Sequence, residues 1–426
     1  MKDTCRLTAA EAASKIRAGK LTSETYVRAC LERIRAREPE VAAWQFVDPE
    51  YAIAQARARD KERPRGLLHG IPVAFKDIVD TADLPTGYGS LVDPTHCPAI
   101  DAVCVALSRQ AGAVVMGKTV TTEYAVRYPG KTRNPLDPTR TPGGSSSGSA
   151  AAVADGQVTL ATGSQTAGST IRPGAYCGVY AFKPTYGIVP MTGVKTLSAT
   201  FDTMGLFARA LDDLQLFRDV LVGVEKPSPR STLSRAPKIG FCRTPAWKKT
   251  DKATQRHLTD AAKRIARAGA TVADVDLPKG FEHGEAIIWR IIFFEMARNL
   301  APEWREHRDN LSPWMQNAIA DALKIPLTAY LEALAEVRRL GDAARDALSG
   351  FDVFMAPAAP GEAPVGVLDT GPPTFQVPWH LLGMPALTLP LFEGAAGMPI
   401  GLQLVGHVRD DDRLFAAARW VERKLS

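Results

Sequence analysis

In the middle of this chain, TPGGSSSGSAAAVADG (Thr141 to Gly156) is followed closely by a second segment of similar make-up, ATGSQTAGSTIRPGAYCGVYAFKPTYG. Composition alone would make the first a flexible tether. Its neighbours argue otherwise, because the serines run straight into AAAVA and then VTLATG. Small apolar residues of that kind let a helix lie close on a sheet, whereas a tether has solvated polar neighbours. The two segments therefore read as packed structure, placed back to back for a reason.

Two familiar Gly/Ser motifs fit poorly. A phosphate loop needs a lysine after its second glycine; Gly143 to Gly148 has the glycine spacing, but Ser149 stands where the lysine belongs. A nucleophile elbow, G-x-S-x-G, matches Gly144 to Gly148, yet it requires a strand directly before it. The preceding TRNPLDPTRTP carries three prolines. That motif also needs a histidine base, and His257, His283, His307 and His380 lie in charged helices or loops with nothing nearby to mark one. A further reading uses both segments together with Lys76. A serine that attacks an amide needs a base for its proton and backbone N–H groups aimed at the developing oxyanion. A turn such as Thr166-Ala167-Gly168-Ser169 can point several N–H groups at one place, because glycine has no Cβ to block approach. Lysine is then the candidate base, and serine–lysine pairs are a recognised variant of triad logic.

The chain has 426 residues and a formal net charge of +6, enough length for a sizeable core. Basic clusters such as RARDKERPR (Arg57 to Arg65) are interleaved with acids and come without an aromatic ladder. They read as solvated faces, and no nucleic-acid partner is expected. Six cysteines without a C-x-x-C pair read as reduced thiols. The N-terminus lacks the apolar core of a signal peptide, and the run IIWRIIFFEMA is broken by Arg290 and Glu295. The expectation is a cytoplasmic protein with no membrane partner. Scattered histidines, with no H-E-x-x-H or Cys/His cluster, suggest no metal and no cofactor.

Local patterns alternate between helix and strand. Thr8 and Glu11 have capping-box spacing, with Gly19 a plausible stop. Helices are expected from about Ser23 and around Tyr51 to Lys61, and a strand over Ile71 to Phe75 with Lys76 and Asp77 at its end. AVVMG, PKIGFCR, FDVFMAP and ALTLPL read as strands; DKATQRHLTDAAKRIARAG and the tail DDRLFAAARWVERKL read as helices. This alternation predicts an α/β layered fold around a largely buried sheet.

With these residues assembled, GGSSSGSAAAVADG…LATGSQTAGSTIRPGAYCGVYAFKPTYG resembles the signature block of the amidase signature family, at about residues 141–187. LHGIPVAFKDIVD resembles that family's lysine segment, and AGAVVMGKT, DPTRTPGGSS and GMPALTLPLFEGAAGMPIGLQLVG match its usual phrases. The resemblance implies a single α/β/α layered domain over residues 1–426, built around a large mixed β-sheet and carrying a Ser–cis-Ser–Lys triad. Carried over by position, the nucleophile falls on Ser169, the bridging serine after the cis peptide on Ser145, and the lysine on Lys76. The oxyanion donors fall on the backbone of Thr166, Ala167, Gly168 and Ser169, and substrate binding on Gly144 and Arg172. There are departures. Many relatives have Asp-Thr-Gly-Gly-Ser where this chain has Gln165-Thr166-Ala167-Gly168-Ser169, and many place arginine two residues after the nucleophile, where Arg172 stands three after. GSQTAGSTIRP is nearest to the malonamidase-like branch, in which the arginine binds a substrate carboxylate; a structural pairing of Arg172 with an acid is the alternative. The function implied is hydrolysis of a small-molecule amide through an acyl-serine, with preference for a carboxylate-bearing amide of malonamate type. The rivals are an A-type subunit of a glutamine-dependent amidotransferase and a non-catalytic binding protein on the same scaffold. A homodimer is an expectation that goes with the family. Glu295, Tyr88 and Trp379 are weaker pocket candidates, better read as packing residues.

Overall fold

The computed structural model describes residues 4–226 and 232–426. Among them, eleven strands form one mixed sheet. In chain order these are β1 (Trp44–Val47), β2 (Pro72–Lys76), β3 (Val114–Thr119), β4 (Leu160–Gln165), β5 (Tyr180–Lys183), β6 (Thr203–Ala208), β7 (Lys238–Phe241), β8 (Thr271–Asp274), β9 (Val353–Pro357), β10 (Ala386–Glu393) and β11 (Pro399–Gly406). Across the sheet the order is β1-β3-β2-β4-β6-β5-β10-β11-β9-β7-β8. β2 lies parallel to both β3 and β4, while β4 and β6 are antiparallel.

The central strands are buried along their whole length, as in β2, β3, β4, β6 and β9. Such strands need cover on both faces. Alternation along β9 shows the two covers directly: Val353 and Met355 join one hydrophobic core, Phe354 and Ala356 the other. The layering is therefore α/β/α, as the family resemblance implies. Local expectations hold as well. Thr8 and Glu11 form a reciprocal capping box on helix Ala9–Arg17, and the tail forms helix Asp411–Leu425.

The alanine-rich segment after the serines is helix Ser147–Asp155, with Ala150 to Val153 fully buried. Its first turn is wedged against the end of β3. A Cβ on Gly148 would sit 2.2 Å from the Ala43 carbonyl oxygen and 2.4 Å from the Val120 nitrogen, so only glycine allows this approach. Between β8 and β9 lies a helical insertion that local patterns do not announce, including Gly284–Asn299, Pro313–Ala322 and Leu327–Leu348. Its first helix reaches the cleft described next.

Candidate active site

β2 and β4 are in parallel register, Val73 opposite Leu160 and Ala74 opposite Ala161, so their carboxyl ends emerge at one edge. Open α/β sheets place their ligands at such ends. β2 ends on Lys76; β4 runs directly into Thr166-Ala167-Gly168-Ser169, and helix Ile171–Cys177 follows. The Gly/Ser loop enters from the side, and every residue from Thr141 to Val153 is buried. That observation removes the tether reading.

Three serines of this segment have separate tasks. Ser145 follows a cis peptide bond from Gly144, and its Oγ accepts from the Lys76 Nζ at 2.7 Å. The Ser146 hydroxyl accepts from the Ser164 N–H and donates to the Ser164 carbonyl, both at 3.2 Å. Ser149 donates to the Thr162 carbonyl at 2.8 Å. The loop is thus stitched to β4, and the close fit depends on Gly163, where a Cβ would meet the Ser146 Oγ at 2.6 Å.

Lys76 is fully buried, and its Nζ also donates to the Ser164 Oγ at 2.9 Å. Burial pushes its amine down to about 7, with Asp202 pulling the other way. No carboxylate pairs with it directly among the described residues. Asp202 itself is pushed up to about 6 by desolvation, against hydrogen bonds from the Thr166 hydroxyl and the Ser198 and Leu197 N–H groups. The Gln165 side-chain oxygen accepts from the N–H groups of Thr170 and Ile171 at 3.1 and 3.2 Å. It caps the helix after the turn, so the substitution of Gln for the family's usual Asp keeps an acceptor in place.

A narrow cleft opens beside the turn, lined by Thr166, Ala167, Gly168, Ser169 and Arg172 from the signature block. Further walls come from Ala125 to Arg127, from Trp289 and Ile292 on helix Gly284–Asn299, and from Thr370 and Pro373. Arg172 is buried, and no acid pairs with it among the described residues. Its Nη2 donates to the Gly144 carbonyl at 2.6 Å and to the Thr370 hydroxyl at 3.3 Å, while Nε and Nη1 have no partner. Burial pushes its guanidinium down to about 10, which leaves it charged at neutral pH. Gly144 does not line the cleft; it meets the site through the carbonyl that holds Arg172.

The weaker candidates are packing residues. Glu295 accepts from Ser198, Thr200 and Tyr330, Trp379 lies in a hydrophobic core, and Tyr88 donates to Asp80 at 3.1 Å. Sequence reading misses Ser164, Asp202 and Arg127. Ser164 stands two residues after Thr162 on one strand, a period-two clue that becomes useful only once β4 is known to lie beside Lys76.

The family model described as Amidase matches residues 25–415. The chain belongs to that family. It is an amidase, a hydrolase of amide carbon–nitrogen bonds. Along its entire length it is 32% identical to the A-type subunit of the glutamyl-tRNA(Gln) amidotransferase of Anaeromyxobacter sp. (strain K), of which 97% is covered. A solved amidase structure superposes with a TM-score of 0.90 at 30% identity, covering 99% of this chain and 100% of that one. The native peptide amidase of Stenotrophomonas maltophilia superposes at 0.86 with 29% identity, over 98% of this chain and 96% of the other. The expected mixed-sheet amidase fold is therefore correct. Among the described residues no helix is long and apolar enough to cross a membrane.

Proposed function

We propose that this amidase works through Ser169, Ser145 and Lys76 on a small amide whose acyl part bears a carboxylate. The observation that carries the reading is a fully buried lysine, with its amine lowered to about 7, donating to the Ser145 hydroxyl at 2.7 Å. A lysine in that state is available as a base near neutral pH. The Ser169 oxygen bonds to the carbonyl carbon, and the carbonyl electron pair moves onto oxygen. The Ser169 proton passes to Ser145 as the Ser145 proton passes to Lys76. In this reading the backbone N–H groups of Thr166, Ala167, Gly168 and Ser169, which line the cleft, receive the oxyanion. Collapse breaks the C–N bond, and the proton returns through Ser145 to the departing nitrogen. Water then attacks the acyl-serine along the same route and releases the acid. Arg172 lines the same cleft, and its Nε and Nη1 have no hydrogen-bond partner, which supports a charge-assisted contact with a substrate carboxylate, as in malonamate. Gly144 contributes by holding that arginine.

A second reading has its own support. The curated relatives are A-type subunits of glutamyl-tRNA(Gln) amidotransferases. They favour an amidotransferase component, working on glutamine with a partner, over a free-standing malonamate amidase. Ammonia release from a panel of amides, by the chain alone and with any protein that co-purifies, separates the two. Turnover of half-amides by the chain alone supports the first reading. Glutaminase activity that appears only with a partner supports the second. No turnover in either setting rejects both.

A further inference from the structure

We infer that Arg127 is a second anion-binding residue of this cleft, and that the substrate's acyl part therefore carries a carboxylate and no ammonium group. The inference rests on the hydrolytic reading above and narrows its substrate class. Arg172 lies in the cleft wall with two unpartnered nitrogens. Arg127 is exposed and lines the same cleft, its guanidinium carbon 5.9 Å over the Trp289 ring. Among the described residues, neither arginine forms an ion pair, and no carboxylate lines the cleft. Two guanidinium groups facing one small space repel each other until an anion enters between them. The proton affinity of Arg172 is lowered chiefly by burial and to a lesser degree by Arg127, with Tyr176 and Asp369 acting the other way.

The placement of Arg127 is enforced by the backbone. Tyr124 and Ala125, at φ 44° and 60°, take a left-handed turn that side-chain-bearing residues rarely adopt. The turn is held on several sides. The buried Glu123 carboxylate accepts from the Ser90 hydroxyl at 3.1 Å, from the Ser312 N–H at 3.1 Å and from the Ser312 hydroxyl. The Tyr124 N–H donates to the Tyr88 carbonyl at 2.8 Å, and the Thr122 N–H donates to the Ser145 carbonyl at 3.2 Å. The segment that presents Arg127 is thus hung from the residue that touches Lys76. A half-amide of a dicarboxylic acid satisfies such a cleft. Glutamine brings an α-ammonium group, which would face two cations in a cleft whose lining holds no carboxylate.

Calorimetry on the Ser169→Ala protein tests this without turnover, using the half-amides of malonic, succinic and glutaric acids, L-glutamine and butyramide. At least one half-amide should bind more tightly than glutamine and butyramide. Adding Arg127→Gln should weaken it about tenfold or more, since a charge-assisted contact is lost, and Arg127→Lys should restore part of that loss. Unchanged affinity in the Arg127→Gln protein, tighter binding of glutamine, or no binding of any half-amide would overturn the inference. Circular dichroism checks that each variant is folded, which the exposure of Arg127 favours. Failure of the hydrolytic reading looks different: the wild-type chain would release no ammonia from any of these amides, whatever they bind to.

Discussion

The Thr166 hydroxyl donates to the Asp202 carboxylate over 2.7 Å, tying the first residue of the turn to the residue that leads into β6. The same carboxylate favours the protonated form of Lys76. One side chain therefore braces the turn and biases the lysine. Asp202→Asn keeps an acceptor for Thr166 and removes the charge. The Lys76 amine should then lose its proton at lower pH, and the acid limb of kcat/KM should move the same way. A lower rate with an unmoved profile would mean that Asp202 is only a brace.

Lys76 sets the direction of the wild-type profile. Its amine is lowered from 10.5 to about 7 by burial, and only the neutral form can accept a proton. Activity should rise as pH increases through about 7 and level off above. Lys76→Arg should be inactive at every pH below 10, since guanidinium keeps its proton. Rates of ammonia release across pH 5–9 provide the check, about two units either side of the midpoint.

The same burial has a cost in stability. The folded value lies below that of the unfolded chain, so the unfolded state binds more protons between about 7 and 10.5. Stability tied to this group therefore increases with pH across that window and is lowest at and below about 7. Lys76→Met, which removes the desolvated amine, should raise the melting temperature at pH 7 and abolish activity. The gain should shrink as the pH approaches 10. Scanning calorimetry at several pH values would show a pH-independent or reversed difference if the amine is not under this strain.

Ser169→Ala should lower kcat by at least about 10³, with the fold intact. Ser145→Ala and Lys76→Ala should each be severe, and their combination should cost far less than the product of the two, because they pass one proton. Independent, fully multiplying losses would break the relay.

Gly148→Ala tests the packing rather than the chemistry. Its Cβ would enter the space of the Ala43 carbonyl and the Val120 nitrogen, both backbone atoms that no rotamer change can move. Destabilisation of about 1–3 kcal/mol or more is expected in denaturant titrations. A neutral effect would mean that the helix Ser147–Asp155 sits farther from β3.

The parts of this site legible in sequence are those whose meaning is local. Lys76 follows an apolar run at a strand end, and Ser145 and Ser169 each sit in a short glycine-marked phrase. The residues that escape notice join the site through long-range pairing. Asp202 is 36 positions from the threonine it holds, and only the antiparallel register of β4 and β6, Gln165 opposite Thr203, puts them together. Arg127 escapes because a left-handed turn at Tyr124 and Ala125 carries no glycine to announce it. At the level of the fold, β2, β3, β7, β9 and β10 are readable as apolar runs. β1, β5, β6 and β11 are not assigned by pattern alone, since short strands of mixed polarity are set by their neighbours in the sheet.

The cleft is built from two sources. Arg127, Ser169 and Arg172 come from the first half of the chain, as do Lys76 and Ser145 behind them, while Trp289, Ile292, Thr370 and Pro373 approach from the insertion and the loop before β10. The part of the wall formed by Trp289, Ile292, Thr370 and Pro373 is therefore inherited from stretches of the gene separate from those that carry the proposed triad and the two arginines. Edits to the helix Gly284–Asn299 and to the segment around Thr370 reshape that wall without touching Lys76, Ser145 or Ser169. The shape of that wall and the proposed proton path can therefore vary independently.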